Sequence, residues 1–289
     1  MKIVVTGAGG LLGRAFMACG GDNEIAAVGR TELNTGMPNK VLALAALHQA
    51  DVLINCAADT DVEGAERDSE HAHAVNAVLP ALLAESCVRA GAKMIHISST
   101  GCYGDWKASP YTEDDVLRPT TVHHRTKALG EDAVRAKANR WMILRTGWLY
   151  GLSAPGRKNF IRDRLEEAKK ISPLLANAHQ KGNPTFVDDV ARQAYRLVEN
   201  DEDGIFNCVA HGSATRRDYV EAIVRGAGLS VAVEAAPDDH FARRAPVSSN
   251  ETAENTRLKR IGLDMMPAWR EAVMAFVGKE FSSAQWPDA

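Results

Sequence analysis

The chain has 289 residues, 45% apolar and 25% charged, a balance that excludes collagen-like, disordered and disulfide-scaffold proteins. Its 34 basic and 37 acidic residues leave a net charge of −3, so it lacks the basic surface of a general nucleic-acid binder. A phosphate-bearing ligand must therefore be held by local groups. The length suits one large domain or two lobes sharing a core. No apolar stretch approaches the ~20 residues of a membrane span. No cleavable leader precedes Ile3-Val4-Val5, and Cys19, Cys56, Cys87, Cys102 and Cys208 form no CxxC pair. Reduced thiols and a cytoplasmic location are expected.

Short apolar runs at 3–5, 25–28, 52–56, 94–97 and 141–144 read as strands. None alternates cleanly between apolar and polar, as expected of parallel strands covered on both faces. Helical patterns at 11–19, 43–49, 66–75, 79–90 and 126–138 lie between them, with Pro80 suited to a first turn. This rhythm predicts an α/β fold: a Rossmann-type, doubly wound parallel sheet over residues 1–150. The rhythm loosens after Tyr150. A loop at 152–158, helices at 159–171, 188–199 and 215–226, a turn at 182–185 and a strand at 205–209 are expected. Pro267-Ala268-Trp269 opens a last helix to about residue 277, and the tail from Ser282 is expected to fray. Residues 151–289 thus read as a smaller α/β substrate lobe, some of whose segments return to the first domain.

Gly7, Gly10 and Gly13 recur at three-residue intervals between the first strand and the first helix. Gly7 permits a tight turn, Gly10 lets backbone N–H groups (those of Leu11 and Leu12 among them) approach a pyrophosphate, and Gly13 lets the helix pack closely. The pattern predicts a dinucleotide site. Arg30 ends the second strand, where an acidic residue would favour NAD and an Arg can pair with a 2′-phosphate. NADP is therefore expected, with NAD still possible through Glu32. Asn55-Cys56-Ala57-Ala58 ends a strand with small residues that leave room for the cofactor, and Cys56 reads as a small buried side chain.

The glycine turn, Asp61-Val62-Glu63-Gly64-Ala65-Glu66, Val75-Asn76-Ala77, His96-Ile97-Ser98-Ser99 and Pro110-Tyr111-Thr112-Glu113 come in a characteristic order. So do Lys127-Ala128-Leu129-Gly130-Glu131, Leu144-Arg145-Thr146-Gly147-Trp148-Leu149-Tyr150-Gly151, Asn159-Phe160 and Gln180-Lys181-Gly182-Asn183-Pro184-Thr185. Ala242-Arg243-Arg244-Ala245-Pro246 follows near the end. Together they resemble the extended short-chain dehydrogenase/reductases, and most closely the dTDP-4-dehydrorhamnose reductases. The resemblance implies NAD(P)H-dependent reduction of a 4-keto sugar on a nucleoside diphosphate, in polysaccharide or deoxysugar synthesis. It implies cofactor contacts from Gly7, Gly10, Leu11, Leu12, Gly13, Arg30, Cys56, Ala57, Ala58, Asn76 and Lys127. It implies substrate contacts from Trp148, Asn183, Thr185, Arg243 and Arg244. Some relatives pair as homodimers, some with a divalent cation, and nothing in the sequence assigns a metal site here.

The family uses a Thr or Ser, a Tyr and a Lys, the last two spaced YxxxK. Ser99 fits the first position, with Thr100 in place of the Asp usual after it, and Lys127 fits the last. His123 stands where the Tyr should be. An imidazolium, of unperturbed pKa near ~6.5, is a competent acid. The adjacent Lys127 cation pushes that pKa down. Two readings follow: His123 supplies the proton, or it fills the site of an NADP- and sugar-nucleotide-binding protein without turnover. An epimerase is a third, opposed by the match through 180–185 and Arg243-Arg244. His124, Tyr103 and Tyr111 are lesser proton-donor candidates. His71 and His73 are expected on the surface, and no G-x-S-x-G elbow or HExxH zinc spacing occurs.

Overall fold

A computed structural model of the chain describes residues 1–152, 159–237, 240–241 and 243–281. The expected loop at 152–158 beyond Leu152, Ala242 of the arginine motif and the tail from Ser282 lie outside them. In chain order come β1 (Lys2–Thr6), α1 (Leu11–Cys19), β2 (Glu24–Val28), α2 (Pro38–Leu47) and β3 (Val52–Asn55). Then follow α3 (Val62–Ala65), α4 (Ser69–His73), a π turn over Ala74–Val78, α5 (Leu79–Ala90) and β4 (Lys93–Ser99). A 3-10 turn over Thr100–Tyr103 precedes α6 (Val122–Lys137) and β5 (Trp141–Thr146). The second half holds β6 (Leu149–Tyr150), α7 (Phe160–Ala168), β7 (Leu174–Ala176), β8 (Lys181–Gly182), β9 (Thr185–Phe186) and α8 (Val187–Glu199). It ends with β10 (Gly204–Asn207), β11 (Ala214–Thr215), α9 (Arg216–Gly226), β12 (Val233–Ala235), α10 (Thr256–Arg260) and α11 (Trp269–Glu280).

Six strands form one parallel sheet in the order β10-β5-β4-β3-β1-β2. The unbroken apolar runs are thus explained, because helices cover both faces. One face packs Phe16 of α1 and Val190, Ala194 and Leu197 of α8 against Ile3, Val5, Ile54 and Ile95. The other packs Val41 and Leu44 of α2 and Leu83 and Cys87 of α5 against Val4, Leu53 and Met94. Burying a side chain of this size contributes roughly 1.5–3 kcal/mol. β10 and α8 come from the second half of the chain, which therefore completes the sheet layer as well as building its own core around Tyr150, Tyr219, Trp269 and Phe276.

β1 lies between β2 and β3, so the winding direction reverses there. Ligands of open α/β sheets bind at such a point, beyond the strands' carboxyl ends. The register puts Thr6 opposite Asn55, Asn55 opposite His96, and Ser99 opposite Thr146, so the candidate residues gather at that one edge.

Several boundaries differ from expectation, for reasons found at the helix starts. The helix expected from residue 126 begins at Val122, since Thr121 accepts from the His124 N–H. His123 and His124 therefore lie in its first turn. The helix expected at 66–75 starts only at Ser69, where Asp68 caps α4, and a separate short helix, α3, capped by Asp61, precedes it. α2 starts at Pro38, not residue 43, because proline suits a first helical turn.

Candidate active site

The glycine turn is folded against the end of β3. Gly7 has φ +65°, and a Cβ there would stand 2.8 Å from the Ala57 nitrogen and the Cys56 carbonyl carbon. Gly10 donates to the Gly7 carbonyl at 2.9 Å and precedes α1 with no side chain capping it. The first N–H groups of α1 are thereby left for an anion. A Cβ on Gly13 would collide with the Gly7 carbonyl oxygen, so α1 can approach the turn only without one. The Leu12 side chain is buried in the core, which leaves only its backbone for a ligand. Arg30 is exposed just past β2, and the neighbouring Glu32 carboxylate accepts from Thr31 at 2.8 Å, which lowers its pKa.

Beneath the turn, Thr6 donates to Asn55 Oδ1 at 2.7 Å, and Asn55 Nδ2 lies 3.0 Å from His96 Nδ1. Asn55 Oδ1 also accepts from the Ala57 N–H at 3.2 Å. This chain of bonds ties β1, β3 and β4 together and shapes the Cys56–Ala58 wall. Cys56 is half-buried rather than fully buried, as befits a residue at the cleft edge. Asn76 is fully buried, and its amide brackets the Asp59 backbone and reaches Thr126. It braces the loop that follows β3.

Across the cleft floor, Ser99 Oγ caps the 3-10 turn by accepting from Gly101 N–H at 3.1 Å. Lys127 is buried and donates to the Ile97 carbonyl at 2.5 Å. Burial lowers its pKa, opposed by the nearby Cys102, Glu131 and Cys56. Cys56, at the strand end that touches Gly7, thus lies within electrostatic reach of the Lys127 ammonium. Behind Lys127, Glu131 takes two bonds from Arg145 Nε, a third from Arg145 Nη2 at 2.7 Å, and one from Ser98 Oγ at 2.5 Å. This buried, bidentate pair locks α6 onto β4 and β5.

His123 is 8% exposed, and its Nδ1 is buried without a partner. Burial first, then His124 and Lys127, push its pKa down to about 3. His124 packs its ring on Gly101 and shares a 3.0 Å bond between Nδ1 and Thr121 Oγ1. Burial, Lys127 and Arg243 bring it down to about 4. Both imidazoles are neutral at pH 7. Tyr103 and Tyr111 stack on each other at 4.9 Å, fully buried, with their hydroxyls engaged by Asn207 and the Gly104 carbonyl. They are core residues, and the proposal of either as proton donor falls. His71 and His73 are exposed, as expected.

The opposite wall differs from expectation. The Trp148 indole lies on Gly182, and its Nε1 donates to Glu251 at 2.9 Å. The Arg216 guanidinium carbon sits 3.4 Å from its ring centroid. Trp148 is thus a platform for Arg216 and Glu251, not an open aromatic face. Asn183 and Thr185 are fully buried: Asn183 Nδ2 donates to the carbonyls of Ala210, Gly212 and Ala253, and Thr185 to that of Asn183. They brace the wall from behind rather than lining it, because their polar atoms are spent on backbone. Arg243 pairs with Glu63 at 2.8 Å while its charge bears on His124, Arg216 and Glu251. Arg244 is exposed, and only its backbone N–H reaches Glu63. Arg216 and Glu251 escaped sequence reasoning; the Thr215–Asp218 capping box marks a helix start, but nothing local says what the next side chain covers.

The profile of the RmlD substrate binding domain matches residues 1–281. The chain belongs to this family. Among its relatives is a dTDP-4-dehydrorhamnose reductase of Mycolicibacterium smegmatis, 33% identical over 94% of this chain and 84% of the relative. Another is the spore coat polysaccharide biosynthesis protein SpsK of Bacillus subtilis, 29% identical over 98% and 99% of the two chains. The crystal structure of a dTDP-4-dehydrorhamnose reductase from Clostridium acetobutylicum superposes with a TM-score of 0.90 at 29% identity, covering 96% and 98%. Among the described residues, no helix is long and apolar enough to cross a membrane.

Proposed function

We propose that the protein is an NADP-dependent reductase of a nucleotide-linked 4-keto-6-deoxy sugar, serving polysaccharide or deoxysugar synthesis. One observation carries the reading: the Cys56-Ala57 strand end packs against the glycine turn, and the buried Lys127 ammonium lies within electrostatic reach of it. A dinucleotide fits there, because the positions a Cβ would fill at Gly7 and Gly13 are occupied by backbone, and α1 presents an uncapped N-terminus. Gly10, Leu11 and Leu12 would hold the pyrophosphate by backbone, Arg30 the 2′-phosphate, and Lys127 the nicotinamide ribose. When bound, NADPH supplies the hydride. Ser99 orients the sugar carbonyl by hydrogen bonding, and the Lys127 ammonium favours negative charge developing on its oxygen.

His123 holds the acid's position as a neutral imidazole. It can hydrogen-bond a ligand but is not an imidazolium acid at neutral pH. A positioned general acid contributes roughly 10²–10⁴-fold, so slow turnover is expected, and the same observation favours the second reading, binding without turnover. NADPH oxidation with dTDP-4-keto-6-deoxy-L-mannose separates them. In the reductase reading the wild type turns over slowly, His123→Ala changes the rate by less than about tenfold, and His123→Tyr raises it by about 10²-fold or more. Tight NADPH binding with no wild-type turnover, gained only in His123→Tyr, establishes the binding protein. Failure to bind NADPH removes both.

A further inference from the structure

The wall built on Trp148 and Glu251 carries a cation that the reading above does not use. Arg216 opens α9 and lies flat on Trp148. Its Nε donates to Gln180 Oε1 at 3.2 Å, which fixes the plane of the guanidinium. Among the described residues nothing pairs with its Nη1 or Nη2. Phe160 flanks it at 5.5 Å from the ring centroid, and Tyr219 packs beneath. This is a half-buried charge on an aromatic bed, its two terminal nitrogens unpaired among the described residues. Burial draws its pKa down to about 10, against the pull of Glu251 and Tyr219, and Arg243 adds a second positive charge from the facing loop. Glu251 is the acidic neighbour. Its carboxylate is turned to Trp148 Nε1, forms no ion pair with Arg216, and has a pKa raised by burial. A guanidinium held this way matches the paired oxygens of a phosphate or carboxylate.

We propose that Arg216, stacked on Trp148, is an anion contact of the ligand pocket and binds a phosphate or carboxylate oxygen of the sugar nucleotide. The assignment rests on the pocket reading above and gives the pocket a specificity-determining residue. The Trp148 platform sets the guanidinium's height, Gln180 sets its rotation, and Arg243 closes the same anion from the other side. Two sources can supply such oxygens: the diphosphate of the nucleotide, or an acidic substituent on the sugar.

Calorimetry in saturating NADPH distinguishes them, with the glycine turn already filled. The probes are dTDP, thymidine, dTDP-glucose, dTDP-glucuronate and inorganic pyrophosphate. Arg216→Gln is expected to weaken dTDP and pyrophosphate by about 10- to 100-fold, the scale of a charge-assisted hydrogen bond, and to leave thymidine unchanged. Arg216→Lys should recover only part of the loss, because an ammonium cannot stack or bind two oxygens at once. If Arg216→Gln spares dTDP but abolishes a preference for dTDP-glucuronate over dTDP-glucose, the anion is on the sugar. Equal affinities of wild type and Arg216→Gln for all five probes, with NADPH binding intact in both, overturn the proposal. If wild type binds pyrophosphate through Arg216 but none of the nucleotides, the contact stands and the substrate reading fails. If it binds none of the five, both fail.

Discussion

The chemistry of the cleft turns on three buried histidines that cannot carry charge. His96, His123 and His124 all have pKa values pushed below the usual histidine range, chiefly by burial, with the Lys127 ammonium adding to it in all three. In the unfolded chain each titrates near ~6.5. Below that pH the unfolded state binds protons that the native state refuses, so stability falls as pH drops from about 6.5 toward 4 and is full above 7. Each histidine contributes a slope of up to about 1.4 kcal/mol per pH unit in that window. Urea denaturation at several pH values reads this directly. His124→Asn should flatten the acid slope by up to that amount even as it lowers stability at pH 7, since Asn can still meet Thr121. An unchanged slope would mean that His124 is charged in the native state. The substitution of His123 for the family's tyrosine was plain in the sequence, and so was the direction of the Lys127 effect. The larger effect of burial was not, because it depends on α6 starting at Val122 and carrying both rings inward.

At the scale of elements, the sheet was the most legible part. Parallel strands covered on both faces must be apolar throughout, and the five runs of the first half and Ile205-Phe206 in the second all lie in the central sheet. Helix starts were less legible, since Thr121, Asp61 and Asp68 read equally well as loop residues until their N–H partners are seen. The wall around Trp148 was least legible: Trp148, Arg216 and Glu251 meet from distant points of the chain, and no local pattern encodes their contact. The turn between β1 and α1 stands at the other extreme, with its three glycines each explained by a close approach. Gly13 gives the sharpest test. Even one methyl group there meets the Gly7 carbonyl oxygen, so α1 must move off the turn. Gly13→Ala is expected to lower NADPH affinity by tenfold or more and to cost about 1–3 kcal/mol of stability through overpacking. Calorimetry and thermal melting check the two halves of that statement. Unaltered NADPH affinity in a folded Gly13→Ala protein would place the cofactor elsewhere.

The whole molecule is organised so that the second half completes the sheet layer of the first and returns a loop to it. β10 and α8 add to the central sheet layer, while the loop from Arg243 to Ala245 returns to α3. Glu63 holds that return: it takes the Arg243 Nε at 2.8 Å and the N–H groups of Arg244 and Ala245 at 3.2 Å each. The ion pair itself is solvent-exposed, and pairs of that kind do little for stability. Its consequence is positional. Among the described residues only the Nε of Arg243 is engaged, so its outer nitrogens are unpaired there while the loop is fixed beside His124 and Arg216. A cation held in place before the ligand arrives loses less freedom on binding. Glu63→Ala is therefore expected to leave NADPH affinity and the turnover number unchanged. It should raise KM for the sugar nucleotide about three- to tenfold, on the scale of ordering one or two side chains. Steady-state kinetics at fixed NADPH separates the two constants. A fall in turnover number at constant KM would move Glu63 into the chemistry, and no change in either would reduce the clasp to a surface contact.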